Sequence, residues 1–284
     1  MGAFEIGLFS LLLNIWLVSA FLQSPLLNTI RSHLLILNLC VSCLARIILA
    51  GFPFSGTSAI AGRWVFGDSC CQLFGFMKQL LGVLQIVALA LVAFERYLVS
   101  RRQVKELPFT FYIFGIIFCW IFALLCSIPP LFKIGSYRCD VIGAACDFDW
   151  RMTNKYQILF NIAIIIFAGI IPTFIIFWCF WKANDRNVRE KQTYAQKRLT
   201  KTMIIVTTGF FLLWLPQAIH IFWVITGLAW SPRIFPVPLA VLSPLCTEAT
   251  ALIPVLTYLA YDERIRVALL NMVPPFKESR PFVR

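Results

Sequence analysis

The chain has 284 residues, of which 60% are hydrophobic and only 13% charged. A soluble domain carries about 25% charged residues, so this composition excludes an ordinary water-soluble enzyme and makes the bilayer the natural solvent. The formal charge of +12 would suit a nucleic-acid binder, but in a membrane chain it suits acidic lipid head groups and a partner protein, and no nucleic acid is expected.

Apolar runs long enough to cross a bilayer as helices (~20 residues) occur at about 2–22, 32–56, 69–99, 109–131, 156–181, 202–226 and 234–260. The expected fold is an all-α membrane protein. It is a single domain, a bundle of seven transmembrane helices, because a closed bundle satisfies every backbone polar group in lipid. Residues 262–272 have an amphipathic period and are expected to form a short eighth helix along the membrane surface. The segments 22–32, 96–108, 182–201 and 261–284 hold 17 Lys and Arg, against 6 in the alternate set. That bias places the amino terminus outside and the carboxyl terminus in the cytoplasm, in a multi-pass plasma-membrane protein. Residues 1–22 lack the basic start of a secretory signal, and no Asn-x-Ser/Thr acceptor occurs. The charged connection 182–201 reads as a solvated helix extension.

Cys40, Cys43, Cys119, Cys126, Cys179 and Cys246 lie in apolar segments, where a thiol behaves as a small hydrophobe. Cys70, Cys71, Cys139 and Cys146 lie at the outer edge, where disulfides are permitted. The tail carries Ser279 as its one hydroxyl residue and no cysteine to acylate.

Punctuation of the spans carries a resemblance. In order come Asn14, Leu37-Asn38-Leu39, Glu95-Arg96-Tyr97, Trp120, Pro172, Phe210 with Trp214-Leu215-Pro216, and Pro254 with Tyr258. At this spacing the chain resembles the rhodopsin-like G-protein-coupled receptors over essentially its whole length. Gly62–Asp68, Cys71–Phe76, Ala145–Trp150 and Asp262–Arg266 are similar to the opsin branch. The resemblance implies a Cys71–Cys146 disulfide tying the second outer loop to the third span, with Cys70 a competitor and Cys139 its alternative partner. It implies Asp140 as an acidic counterion, and a resting bond between Arg96 and Glu95 that opens toward Tyr258 or a heterotrimeric G protein. It also implies a bend at Trp214 and Pro216, where the missing backbone bond lets the sixth helix flex.

The departures matter as much. Thr247 stands seven residues before Pro254, where an opsin carries its retinal-binding lysine. Cys43 and Ile253 replace the polar pair that holds sodium in the family, and Gln196 replaces an acid near the sixth helix, so a weaker resting lock on Arg96 is expected. The first span starts thirteen residues before Asn14, so it either lacks its outer turns or is truncated.

Arg46, Lys78 and Glu248 are ionisable residues at membrane depth. Each costs ~2.5–3.5 kcal/mol on insertion scales and therefore faces the bundle interior or water. Lys78 lies seven residues after Cys71, ~10 Å inward at 1.5 Å per residue. Three readings are open. In one, Arg46 and Glu248 form an ion pair, with Lys78 neutral or reaching Asp140. In another, two cations against one anion leave +1 for an anionic small-molecule ligand. In the third, Lys78 forms a Schiff base with retinal. His220 is expected at the pocket rim, and no metal-ligand spacing occurs. Cofactors are not expected outside the retinal alternative, nor is an enzyme, because no nucleophile–base constellation is present. The favoured expectation is a non-photosensory, opsin-derived receptor for a small diffusible ligand. The alternatives are a retinal opsin using Lys78 and a non-signalling scaffold or lipid-moving protein. Oligomeric state is not legible.

Overall fold

A computed structural model describes residues 2–24, 30–139, 143, 145–151, 155–226 and 237–272. Asp140, Arg233 and Ser279 lie outside the described residues.

The helices are α1 (Gly2–Gln23), α2 (Ser32–Ala50), α3 (Phe52–Ala61), α4 (Gly67–Arg102), α5 (Phe109–Ser127), α6 (Lys155–Ile164), α7 (Ile171–Ala183), α8 (Arg186–Glu190), α9 (Tyr194–Ile225), α10 (Val237–Ala249), α11 (Leu252–Tyr261) and α12 (Glu263–Asn271). A hairpin of β1 (Tyr137–Cys139) and β2 (Cys146–Phe148) lies between α5 and α6. Among the described residues, five segments are long and apolar enough to span a bilayer: His33–Ala61, Gly67–Arg102, Phe109–Phe132, Lys155–Ala183 and Tyr194–Ile225. A sixth is the pair Leu242–Ala249 and Leu252–Tyr261, bent by 42°, while Gly7–Gln23 of α1 is apolar but shorter.

Local chemistry sets the breaks. Pro53 enters at the start of α3, just past Gly51, and separates it from α2, because proline has no N–H to continue the ladder. A π-helical turn at Ile165–Ile170 precedes Pro172 and joins α6 to α7, absorbing the missing donor by widening the turn. Thr193 and Gln196 form a reciprocal capping box at the start of α9, satisfying donors that a helix end leaves open. Consequently α9 begins eight residues earlier than the expected 202, and the polar stretch 194–201 is helix. At the bend between α10 and α11, Asn14 Nδ2 donates to the carbonyl of Ala251 at 2.9 Å. That bond ties α1 to a backbone oxygen the bend sets free.

α4 runs through the middle of the bundle and packs on α2, α5, α7 and the hairpin. Leu81, Leu84, Ala88, Leu89, Val92 and Ala93 are buried along it. Phe114, Phe118, Leu125, Phe174, Phe177 and Leu212 point outward and are exposed, the arrangement expected when lipid rather than water covers the outside. α12 buries Ile265, Ala268 and Leu269 and exposes Glu263, Arg264 and Arg266. Asp262 caps it by accepting from the Arg264 and Ile265 amides at 3.0 and 3.3 Å.

Candidate functional site: a charged cluster beneath a disulfide-tied hairpin

Cys71, near the start of α4, is bonded to Cys146 on β2, which lays the hairpin across the mouth of the bundle. Cys139 stands opposite Cys146 in the strand register. Its Sγ lies 3.6 Å from that of Cys146 and 3.9 Å from that of Cys71, so it neighbours the disulfide and does not bond Cys70. Tyr137 lies directly on Gly75, where an added Cβ would come within 2.8 Å of the ring. The Tyr137 hydroxyl donates to the Ser127 carbonyl at 2.7 Å, and burial, reinforced by the charge of Asp147, pushes that phenol well above its usual pKa.

Asp149 is the hub that holds the hairpin to α6. Its carboxylate accepts from Arg151 Nε at 2.8 Å and Nη2 at 3.1 Å, and from Ser136 at 3.1 Å. Its backbone carbonyl accepts from Gln157 and Asn161 at 3.1 and 3.3 Å. Burial alone would raise the Asp149 pKa. The hydrogen bonds and charge of Arg151, with the Ser136 hydroxyl, outweigh it and hold the carboxyl below its usual range. An open cleft of ≈ 700 Å³ at this rim is lined by Gln72, Lys133, Arg138 and Gln157. It lies apart from the buried charges, which carry the more specific chemistry.

Lys78 points at the hairpin. Two helical turns below Cys71, it donates to Asp147 Oδ2 at 2.7 Å, with both side chains partly exposed. Asp147, rather than the expected Asp140, is the partner seen among the described residues; Asp140 itself lies outside them. Counted at their ordinary charges, the described group of Arg46, Lys78, Glu248 and Asp147 sums to zero, against the +1 expected for the first three alone. The expected Arg46–Glu248 ion pair is absent as a contact: among the described residues no Glu248 oxygen lies within 4.0 Å of the guanidinium. Glu248 instead lies over Gly51, where a Cβ would meet its Oε2 at 2.7 Å. Arg46 turns toward α4, where a Cβ on Gly82 would lie 3.3 Å from its Nη1. The guanidinium is 2% exposed, its Nε and Nη1 have no hydrogen-bond partner, and its Cζ lies 5.3 Å from the Trp214 ring centroid.

Thr247 occupies the position of the expected lysine, and its hydroxyl is turned back to the Pro244 carbonyl at 2.9 Å. His220 is half-buried on α9, six residues beyond Trp214. Trp214 stacks on Phe210 with centroids 5.3 Å apart. Pro216 lies inside α9, and the next residue, Gln217, accepts a hydrogen bond from Ser243 of α10. Pro254 is buried in the first turn of α11. At the expected sodium positions, Cys43 Sγ accepts from Gln85 at 3.5 Å. Ile253 packs on Gly209, whose Cβ would lie 2.9 Å from it.

At the far end, Arg96 is 3% exposed and is paired with Glu95, itself 1% exposed. Ser32 and Tyr112 donate to the same carboxylate at 2.9 and 3.0 Å, and Arg96 Nη2 donates to Ser32 at 2.7 Å. Tyr97 packs on Trp178 instead. Tyr258 is fully buried beside Met203, its hydroxyl 3.7 Å from the sulfur, so it does not meet Arg96 in this arrangement. Gln196 binds the Val104 carbonyl at 2.9 Å and leaves Arg96 to the cage on α2, α4 and α5.

Asp147, Ser32, Tyr112, Gly51 and Gly82 were not singled out by sequence reasoning. Asp147 carried a usable signal, because it follows the cysteine bonded to Cys71 and must hang over the helix face that bears Lys78. The others depend on contacts between helices and left no local signal.

The model of the 7 transmembrane receptor (rhodopsin family) matches residues 13–256. The chain is 27% identical to the visual pigment-like receptor peropsin of Mus musculus, over 94% of this chain and 81% of that protein. It is 26% identical to the GQ-coupled rhodopsin of Mizuhopecten yessoensis, over 75% of this chain and 47% of that protein. The crystal structure of squid rhodopsin superposes with a TM-score of 0.85, covering 97% of this chain and 84% of that one at 23% identity. The chain belongs to the rhodopsin family of seven-transmembrane receptors, on its opsin branch.

Proposed function

We propose that this membrane protein is a receptor of opsin descent that binds a small diffusible molecule without a covalent bond and signals to a heterotrimeric G protein. One observation carries the reading: Thr247 replaces the attachment lysine, and its hydroxyl is engaged with its own helix. Coupling is supported by the caged Arg96 and by likeness to a rhodopsin described as GQ-coupled. The charge bias of the connections supports a plasma-membrane orientation with the amino terminus outside and the Arg96 end in the cytoplasm.

A second reading has its own support. Lys78 faces the bundle mouth with a carboxylate 2.7 Å away, which is the pairing a protonated imine with retinal would need. Adding 11-cis and all-trans retinal to purified protein separates the two. The first reading expects no visible absorbance band, together with ligand-free nucleotide exchange that Arg96→Ala abolishes. A band lost in Lys78→Met and shifted in Asp147→Asn would establish the second.

A further inference from the structure

Among the described residues, Arg46 is a buried cation with no carboxylate oxygen within 4.0 Å. Its Nε and Nη1 find no acceptor, and Trp214 Nε1, beside it, finds none either. Buried polar groups are almost always satisfied, and an orphaned charge in an apolar interior calls for a missing partner. Glu248 exerts the strongest opposite charge on Arg46, yet it is directed over Gly51 while the guanidinium is directed at Gly82. The other two charges of the cluster are settled in the Lys78–Asp147 bridge.

We infer that Arg46 and Glu248 are the two poles of a site for a small zwitterion, its carboxylate received by the guanidinium over Trp214 and its ammonium by Glu248. The inference rests on the proposed non-covalent receptor and names its ligand class. The charge count favours the zwitterion: the four described groups, at their ordinary charges, sum to zero, so a simple anion would add a negative charge near Glu248. A simple cation would leave Arg46 unmet. A molecule carrying both charges completes both poles and leaves the sum unchanged. A carboxylate fits the floor because guanidinium and indole N–H groups are both donors, and charge-assisted bonds to a carboxylate are the strong ones. On this inference the zwitterion enters from the disulfide end, where the side chains of Lys78 and Asp147 keep 12% and 24% of their exposure.

Purified receptor in lipid nanodiscs, free of retinal, is titrated with four probes: glycine and 4-aminobutyrate as zwitterions of two spacings, acetate as the carboxylate alone, and ethylamine as the cation alone. Thermal melting and tryptophan fluorescence are the readouts. The expected result is saturable stabilisation by a zwitterion, with acetate and ethylamine at least ~10-fold weaker. Arg46→Met and Glu248→Gln should each weaken that binding ~10-fold or more, the loss of about one charge-assisted contact. Arg46→Met should itself melt no lower than wild type, which separates lost binding from lost folding, and Glu248→Gln is an independent second variant. Acetate binding as well as the zwitterions, zwitterion binding that survives Arg46→Met, or no response of the folded protein to either zwitterion would overturn the inference. A receptor that turns over G protein but ignores all four probes loses this inference alone, whereas a retinal pigment on Lys78 removes the reading on which it rests.

Discussion

Replacing Glu95 by Gln tests the Arg96 cage most directly. In the present arrangement the carboxylate pairs with Arg96 and accepts from Ser32 and Tyr112. All of these are buried at the end of α4. Removing one partner of a buried pair costs about 3–5 kcal/mol, because the other charge is left uncompensated. That cost falls on the resting arrangement alone if Arg96 leaves Glu95 when the receptor signals. At 1.4 kcal/mol per factor of ten, the equilibrium moves by roughly two to three and a half orders of magnitude before relaxation. The assay is ligand-free nucleotide exchange on a G protein in reconstituted vesicles, with Arg96→Ala as the silent control. Exchange should rise at least ~10-fold in Glu95→Gln. It should rise less in Tyr112→Phe and Ser32→Ala, which each lose a bond to a charged acceptor worth ~1.5–3 kcal/mol. Unchanged exchange in a Glu95→Gln protein that melts like wild type would refute the claim that this cage holds the resting state.

Arg46→Met should stabilise the unliganded protein. The two orphaned donors together cost ~2–6 kcal/mol and the lost cation–π contact returns about 2, leaving a mid-range net gain of about 2 kcal/mol, read as a melting midpoint higher by ~4–8 °C; a lower midpoint contradicts it. Gly75→Ala places a Cβ 2.8 Å from Tyr137 and should cost ~1–3 kcal/mol by overpacking, with faster reduction of the Cys71–Cys146 bond by a thiol reagent as the readout. The Asp149 carboxyl has a folded pKa below its unfolded value, so its contribution is complete above the unfolded range of ~3.9. That contribution is lost only as pH falls through the lowered folded value. Hydrogen exchange of the hairpin amides should therefore accelerate below about pH 4 in wild type, and Asp149→Asn should lack that acid step.

Residues whose role follows from their own helix were legible in the sequence. Cys71, Arg96, Trp214 and Pro254 were legible through the resemblance, because the motifs around them stand in family order and spacing along the chain. The apolar run marked the sixth span only from 202; the helix extension expected in 182–201 begins at Tyr194, where Thr193 and Gln196 form a capping box that hydropathy does not see. The charge cluster was legible as a list and not as a pairing. Depth along a helix gave Arg46, Lys78 and Glu248 a common level, but direction around the helix decides contact. Two glycines settle that direction, since Gly51 admits the Glu248 carboxylate and Gly82 admits the guanidinium. Asp147 changed the sum from +1 to zero because the hairpin, and not a helix, delivers it.

A guest can shift a receptor's equilibrium only through contacts that differ between its two states. Arg46 supplies such a contact here. Its guanidinium lies on the Trp214 ring, Trp214 stacks on Phe210, and Pro216 follows in the same helix with a main-chain bond missing, which leaves α9 free to bend there. A carboxylate that engaged Arg46 would compete with the ring face for the cation and loosen its hold on Trp214. The far half of α9 carries Met203, which packs on Tyr258. A bend at Pro216 would displace Met203 and release Tyr258 toward the Arg96 cage. In the opsin arrangement a covalent chromophore does the pushing. On the proposed non-covalent reading Thr247 removes that handle, so the guest would act through charge, with the buried cation on the tryptophan as the place where charge is converted into helix movement. Linkage makes the argument quantitative: Glu95→Gln, by favouring the open state, should raise zwitterion affinity by the same factor by which the zwitterion raises the open population. A cage variant that signals constitutively with unaltered zwitterion affinity would show that the two ends of the bundle are uncoupled.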